Sequence, residues 1–255
     1  MSPDRVMPMT SPVALITGGA VGIGHATACV FAQRGYRVLI ADLSGAQDAA
    51  HTLGSEHIGV SLDVTDEAAV RDLVSGLDRI DVLVNNAGIG DSHLPSVDQD
   101  IEDFRRVLDV HLSGAFLLAR ECGRAMTRSG QGAIVNLSSI AGVVGLPRRN
   151  AYGAAKAGIA MMTRSLACEW AGSGVRVNAV APGYARTALV EKLVDDGRID
   201  LAAIQRRVPQ GRLINPDEIA EAIWFLASPA ASAITGVTLS VDGGWAAFGD
   251  FGDAS

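Results

Sequence analysis

Two kinds of apolar run alternate along the chain, and this alternation limits the available folds more than any other feature. Seven short runs are nearly continuous in Val, Ile, Leu and Ala, at 13–17, 37–41, 58–62, 81–85, 133–137, 175–180 and 237–241. A strand with one wet face alternates apolar and polar residues, whereas a strand buried on both faces carries no polar side. Between these runs lie longer segments with apolar residues at helical spacing, at 24–34, 66–76, 101–128, 151–171 and 216–226. The last opens with Asn215, Pro216, Asp217 and Glu218, a capping residue followed by a first-turn proline and early acids. Strand and helix in repeated succession predict a parallel sheet with helices on both faces. Right-handed crossovers make this one doubly wound α/β domain in three layers, spanning residues 1–255. Residues 1–11 read as a loose tail. The segment 182–213 breaks the rhythm with a Pro-Gly turn and many charges, and is expected to be a lid at the carboxyl end of a strand.

Composition excludes several function classes. Asp and Glu total 28 and Lys and Arg total 21, a net charge of -7, with no dense basic run to meet a nucleic acid. No stretch reaches the roughly 18 apolar residues of a membrane span. The three cysteines (Cys29, Cys122 and Cys168) are widely spaced in apolar, helix-like contexts. They read as buried thiols in a reducing compartment, and with no signal-type N-terminus the expected location is cytoplasmic. His25, His51, His57 and His93 show no ligand spacing, so no metal is expected. Lysine occurs only at Lys156 and Lys192.

The stretch from Thr17 to Gly24 follows the first strand and opens the first helix. Glycines at 18, 22 and 24 let the backbone turn tightly and approach a pyrophosphate, whose charge a helix N-terminus favours. Taken alone, the stretch is equally a tight strand-to-helix turn. Asp42 ends the second strand, 18 residues after Gly24 and next to Leu43. An acid there can accept hydrogen bonds from both ribose hydroxyls of an adenosine and repels a 2′-phosphate. The expected cofactor is therefore NAD (NADH) rather than NADP, with a helix-capping Asp as the alternative.

Further along, Asp63-Val64 follows the third strand and Asn85-Asn86-Ala87-Gly88 the fourth. Ser139 stands 13 positions before Tyr152, Tyr152 through Lys156 form a YxxxK element, and Pro182-Gly183 precedes Thr187. With TGxxxGxG at the start, this ordered set resembles the short-chain dehydrogenase/reductase family in its single-domain form, over nearly the whole chain. The resemblance implies a Rossmann-like fold and a cofactor cradle formed by Gly18, Gly22, Ile23, Gly24, Asp42, Leu43, Asp63, Val64, Asn86, Ala87 and Gly88. Pro182, Gly183, Ala185 and Thr187 would complete it at the nicotinamide, together with Tyr152 and Lys156. Asn85 to Gly88 can equally be a polar turn that braces neighbouring strands.

The chemistry of these residues agrees with the resemblance. Tyr is a poor base at its ordinary pKa of about 10, and a nearby cation lowers it. Tyr152 and Lys156 are four apart on one helix and share a face. Ser139 can donate to a substrate oxygen, while Ser138 would point to the other side of the strand. The family implies Tyr152 as acid/base, Lys156 as its tuner and cofactor anchor, and Ser139 as the substrate orienter. The family usually has Asn where His111 stands, supporting a helix irregularity and a proton relay. His111 could take over that role or titrate near neutrality, or be a packed neutral side chain.

The expected activity is interconversion of a secondary alcohol and a ketone, on a polyol, sugar or similar small molecule. A 3-oxoacyl-type reductase and a non-catalytic nucleotide-sensing protein are the alternatives. Segments 90–96, 140–150 and 184–212 would line the substrate pocket, with Arg148 and Arg149 as candidates for an anionic or polyhydroxylated substrate, or as a solvated loop or a subunit contact. Small and apolar residues on 101–128 and 151–171 predict a subunit interface, and the family resemblance implies a homotetramer assembled through these helices. The aromatic C-terminus, Trp245 to Phe251, either closes over a neighbouring subunit's site or hangs free.

Overall fold

The computed structural model describes residues 11–197, 199–250 and 252–254, the side chains of Leu189 and Leu193 excepted. Most of the expected N-terminal tail, and Phe251, lie outside the described residues. The chain runs β1 (Val13–Thr17), α1 (Gly22–Gln33), β2 (Arg37–Asp42), α2 (Ala46–Leu53), β3 (Ile58–Ser61), α3 (Glu67–Ser75) and β4 (Val82–Asn85). It continues with α4 (Ile101–Leu108), α5 (Gly114–Ser129), β5 (Gly132–Leu137), α6 (Asn150–Trp170) and β6 (Val175–Pro182). Helices α7 (Ala188–Asp195), α8 (Leu201–Arg207) and α9 (Pro216–Ala227) precede the last strand, β7 (Thr238–Val241).

The seven strands form one parallel sheet in the order β3-β2-β1-β4-β5-β6-β7. The continuous apolar runs have a direct cause. Successive side chains point to opposite faces, and both faces are covered. Leu15, Leu39 and Ile134 pack with Leu118 and Met126 on one side. Their sequence neighbours Ile16, Ile40 and Val135 pack with Phe31, Ile219 and Ile223 on the other. Each such fully buried side chain contributes about 1.5–3 kcal/mol. The chain order reverses between β1 and β4, which opens a crevice at the carboxyl ends of the strands.

The structure departs from the sequence expectation in several places. The edge strands β3 and β7 are partly exposed, because each has only one neighbour. The single helix expected over 101–128 is broken by a π-helical turn, Asp109–Ser113, which turns His111 into the interior. Helix α2 carries a weak sequence signal, because it is short and its buried face consists of the alanines Ala46, Ala49 and Ala50. It packs so closely on β3 that a Cβ at Gly59 would lie 2.2 Å from the Ala46 backbone. The lid contains two helices, α7 and α8, rather than an irregular connection. Cys122 is buried and Cys29 half-buried, but Cys168 is exposed, on the outer face of α6. The described part of the C-terminal segment folds back onto its own subunit's lid. Arg207 donates to the carbonyls of Trp245 and Phe248 and its guanidinium lies over both rings.

Candidate active site

The crevice is a cleft of about 1580 Å³ running from the glycine turn to the lid. All but one of the residues assigned from sequence to the cofactor cradle and the catalytic set line it, so a constellation spread from position 18 to 187 converges on one surface. Of the two substrate-binding candidates, Arg149 lines it and Arg148 does not. The exception in the cradle is Gly24. A Cβ there would sit 2.1 Å from the Gly18 carbonyl oxygen, so this glycine lets α1 pack against the turn and does not face the cleft.

The turn is built to meet an anion. Gly18 and Gly22 have φ values of +62° and +59°, the left-handed region that glycine enters at least cost. Val21, the residue before α1, is extended and supplies no side-chain cap, and the first turn of α1 carries no acid. The leading N–H groups of α1 are thus left for an external acceptor. Thr187 reaches within 3.6 Å of where a Gly22 Cβ would lie, and so closes the turn from the lid side. Asp42 receives the Ala20 N–H at 3.0 Å on one carboxylate oxygen. Its other oxygen has no hydrogen bond among the described residues. Val21 and Leu43 are exposed, and the residues that follow Asp42, Leu43 to Ala46, include no cation. Asp63 is folded into a local turn, taking the Thr65 N–H and hydroxyl at 2.9 and 2.7 Å. Those two bonds hold its carboxyl below the usual range. Asn86 donates to the Thr17 and Gly18 carbonyls, and the Thr17 hydroxyl accepts the N–H groups of Asn86 and Ala87. The polar stretch after β4 therefore does brace β1 against β4, and in doing so fixes the floor of the cleft. Together these features fit a dinucleotide along the turn.

At the other end, Ser138 and Ser139 have separate tasks. The Ser138 hydroxyl is buried and donates to the Lys156 carbonyl at 2.8 Å, tying β5 to α6. Ser139 accepts the Ala141 N–H at 3.1 Å, and its hydroxyl lines the cleft beside the Tyr152 phenol, with which it interacts. Lys156 is buried and its Nζ donates to the Leu137 carbonyl at 2.6 Å. Burial pulls its pKa down to about 7. The Tyr152 phenol is pushed up by burial, while interaction with the Ser139 hydroxyl and the charge of Arg149 pull it the other way. Lys156 Nζ lies 5.5 Å from the Tyr152 ring centroid.

His111 meets the same ring edge-on at 5.2 Å. Its Nε2 lies 3.1 Å from the Ile89 nitrogen and 2.9 Å from the Ile89 oxygen, and its Nδ1 is buried without a partner. The ring is packed so tightly on Gly88 that a Cβ at that position would lie 2.3 Å away. Burial first, then the Lys156 charge, hold His111 down to about 3. It is a neutral imidazole at physiological pH, which corrects the expectation of titration near neutrality.

Sequence reasoning gave Asp91 no role of its own. Its side chain is almost wholly buried, accepts the Tyr152 N–H at 3.1 Å and lies 3.6 Å from Arg149 Nε. It caps α6 from a distant loop at the residue that matters most. Nothing local marks it, because the contact spans 61 positions.

A parallel sheet with an anion-binding turn at its switch point and a Ser, Tyr and Lys set at the far end of one cleft defines a single-domain dinucleotide-dependent oxidoreductase architecture. Residues 18–246 match a family model described as enoyl-(acyl carrier protein) reductase. An uncharacterized short-chain type dehydrogenase/reductase of Sinorhizobium fredii is 48% identical over 91% of this chain, which spans 43% of that longer protein. The cis-4-hydroxycyclohexanecarboxylate dehydrogenase of Sinomonas cyclohexanicum is 49% identical, over 92% of this chain and 96% of its own. A crystal structure of a putative 2-deoxy-D-gluconate 3-dehydrogenase from Agrobacterium tumefaciens with bound NADP superposes with a TM-score of 0.86 at 36% identity, over 93% of this chain and 97% of that one. The chain belongs to the short-chain dehydrogenase/reductase family, whose members are oxidoreductases that bind a nicotinamide cofactor.

Proposed function

We propose that this chain is an NAD(H)-dependent dehydrogenase that interconverts a secondary alcohol and a ketone. The observation that carries the reading is the meeting of Ser139, Tyr152 and Lys156 in one cleft with the uncapped α1 turn. A nicotinamide held along the glycine turn and against Tyr152, Lys156 and Thr187 would supply the acceptor for a hydride from the carbinol carbon. Tyr152, as phenolate, takes the hydroxyl proton, so the alcohol loses one hydride and one proton and becomes a ketone. A buried phenol does not ionise unaided, and the ammonium of Lys156 favours the phenolate as the phenolate favours the ammonium. Ser139, whose hydroxyl lies beside the Tyr152 phenol, orients the substrate oxygen. His111, being neutral, supports Tyr152 by packing and leaves any relay to main-chain groups of the π-helical turn.

The preference for NAD is supported by Asp42, whose free carboxylate oxygen fits a ribose hydroxyl and repels a 2′-phosphate, with no cation in the residues that follow it. The substrate end is walled by Ile140, Leu146, Tyr184, Val190, Ile199 and Ile204. This suits a compact apolar body more than a polyol, and the likeness to a hydroxycyclohexanecarboxylate dehydrogenase makes a ring alcohol the first substrate to test. A second reading, reduction of a 3-oxoacyl thioester, is favoured by 40% identity, over 93% of this chain, to a 3-oxoacyl-(acyl-carrier-protein) reductase of Thermotoga maritima. Assembly as a homotetramer is supported by Phe116 and Met161, exposed on α5 and α6. No helix among the described residues is long and apolar enough to cross a membrane, and a cytoplasmic location remains part of the proposal.

The test is a screen of ring alcohols, polyols, sugars and hydroxy acids with NAD and with NADP, and of 3-oxoacyl thioesters with the reduced forms. Oxidation of an alcohol with higher kcat/KM for NAD is the expected result. A clear NADP preference removes the reading of Asp42, and cofactor binding without turnover of any substrate supports a nucleotide sensor instead.

A further inference from the structure

Besides Lys156, the cleft wall at the substrate end carries an arginine close to Tyr152. The Arg149 guanidinium carbon lies 4.7 Å from the Tyr152 ring centroid, and the residue lines the cleft. The other arginines on the cleft wall, Arg105 and Arg106, stand on α4. Arg149 is held in place from two directions. Its Nε faces Asp91 at 3.6 Å, inside ion-pair range but too long for a hydrogen bond, and that Nε is buried with no hydrogen-bond partner. Its Nη1 lies 3.3 Å from His93 Nε2. No partner is recorded among the described residues for Nη2. A guanidinium carries five N–H donors in a planar fork matched to a carboxylate. This one is fixed in position with most of its donors unsatisfied.

The backbone is arranged to put it there. Arg148 is the one described non-glycine residue with positive φ, at 65°. A left-handed residue with a Cβ costs roughly 1–2 kcal/mol. The turn is held by Gln99, which donates to the Arg148 carbonyl at 3.1 Å. The effect is to leave Arg148 exposed and to bring Arg149 to the cleft wall. Asp91 opposes an anion in part. However, its carboxylate is engaged by the Tyr152 N–H at the start of α6 and by the Nε side of Arg149. The Nη side is left to a ligand.

We propose that Arg149 is a carboxylate-binding subsite, so that the alcohol presented to Tyr152 belongs to a hydroxy acid: an apolar body against the wall, its carboxylate on the guanidinium and its carbinol at Tyr152. The assignment rests on the reading of Tyr152 and its cleft as the site of alcohol oxidation. It names the polar group that the rest of the substrate must carry.

Two measurements test it together. The first is kcat/KM for cis-4-hydroxycyclohexanecarboxylate and for its primary amide, which keeps the ring and hydroxyl but not the charge. A hydrogen-bonded charge pair is worth about 1.5–3 kcal/mol, so the acid is expected to be preferred by roughly tenfold to a hundredfold. Arg149→Met is expected to bring the ratio close to one, and Arg149→Lys to keep part of it. Each variant's rate on the amide reports any general damage around Tyr152, and the ratio removes it. The second is calorimetric binding of unreactive cyclohexanecarboxylate and cyclohexanecarboxamide to the NADH-saturated protein. Here the acid is expected to bind more tightly to the parent protein and no more tightly than the amide to Arg149→Met. A wild-type preference near one in both measurements, or a preference unchanged in Arg149→Met, overturns the subsite while leaving alcohol oxidation standing. Carboxylate binding that depends on Arg149, with no alcohol oxidised, upholds the subsite and removes the reading of function instead.

Discussion

The two ends of the cleft are made by different means. The cofactor end is made of backbone: glycines at 18 and 22 in left-handed conformations, an uncapped helix start, and an asparagine that stitches two strand ends together. The substrate end is made of side chains drawn from far apart. Arg149 is fixed by Asp91 and His93, the lid cluster is packed under Trp245, and Arg207 pins the C-terminal segment. Backbone requirements leave a strict pattern in sequence because few residues meet them. Packing requirements leave a loose one, because many combinations of side chains fill the same space.

Five substitutions would break or sharpen this contrast. Tyr152→Phe removes the proton acceptor but touches neither the turn nor the lid. Turnover is expected to fall by at least ~10²-fold while NADH affinity, read by fluorescence titration, stays within a factor of a few. Retained turnover would end the assignment. Gly24→Ala strikes the backbone end: its methyl would meet the Gly18 carbonyl at 2.1 Å. A loss of stability of roughly 3 kcal/mol is expected in denaturant titration, the upper part of the overpacking range, with weakened cofactor binding.

Lys156→Met separates function from stability. With a folded pKa of about 7 and an unfolded value near 10.4, the unfolded chain binds more protons between those pH values. Burying the lysine therefore costs stability in full below pH 7, and the cost fades as pH rises towards 10. The cofactor-free Met variant is expected to be inactive yet more stable by ~1–3 kcal/mol, with its advantage shrinking from pH 7 to pH 10. An advantage that grows with pH would contradict the burial argument.

Arg207→Ala frees the C-terminal segment. A rise in substrate KM with unchanged NADH affinity is expected, together with a stability loss of about 1–2 kcal/mol from two charge-assisted hydrogen bonds. Equal damage to cofactor binding would show that the two ends are not independent. The smallest effect belongs to His111→Asn. Since the imidazole is already neutral above a pKa of about 3, the shape of the pH-rate profile between pH 5 and 9 is expected to stay the same. A lost ionisation in that window would restore titration of His111.

The legibility of the molecule follows the same division. The seven strands were visible because burial on both faces removes polar residues from them, and the site's Ser, Tyr and Lys were visible because their chemistry fixes their spacing. Gly24 was visible as a glycine but not as a packing residue, since its reason lies in the Gly18 carbonyl brought near by the turn. The break in 101–128 was implied at His111 by the family resemblance but not by periodicity, because a π-helical turn adds one residue per turn without changing composition. Asp91 and the fold-back of the C-terminal segment were hidden because each is a contact between distant parts of the chain.

The amino-acid order alone determined a parallel α/β sheet, a glycine turn at its first crossover and a tyrosine four residues from one of only two lysines. These are local or periodic properties, set by which backbone angles and which faces each residue tolerates. Tertiary structure decided the rest. It held His111 neutral, and turned Arg149 inward while leaving Arg148 outside. Each of those outcomes depends on burial and on partners tens of residues away, which no local pattern encodes.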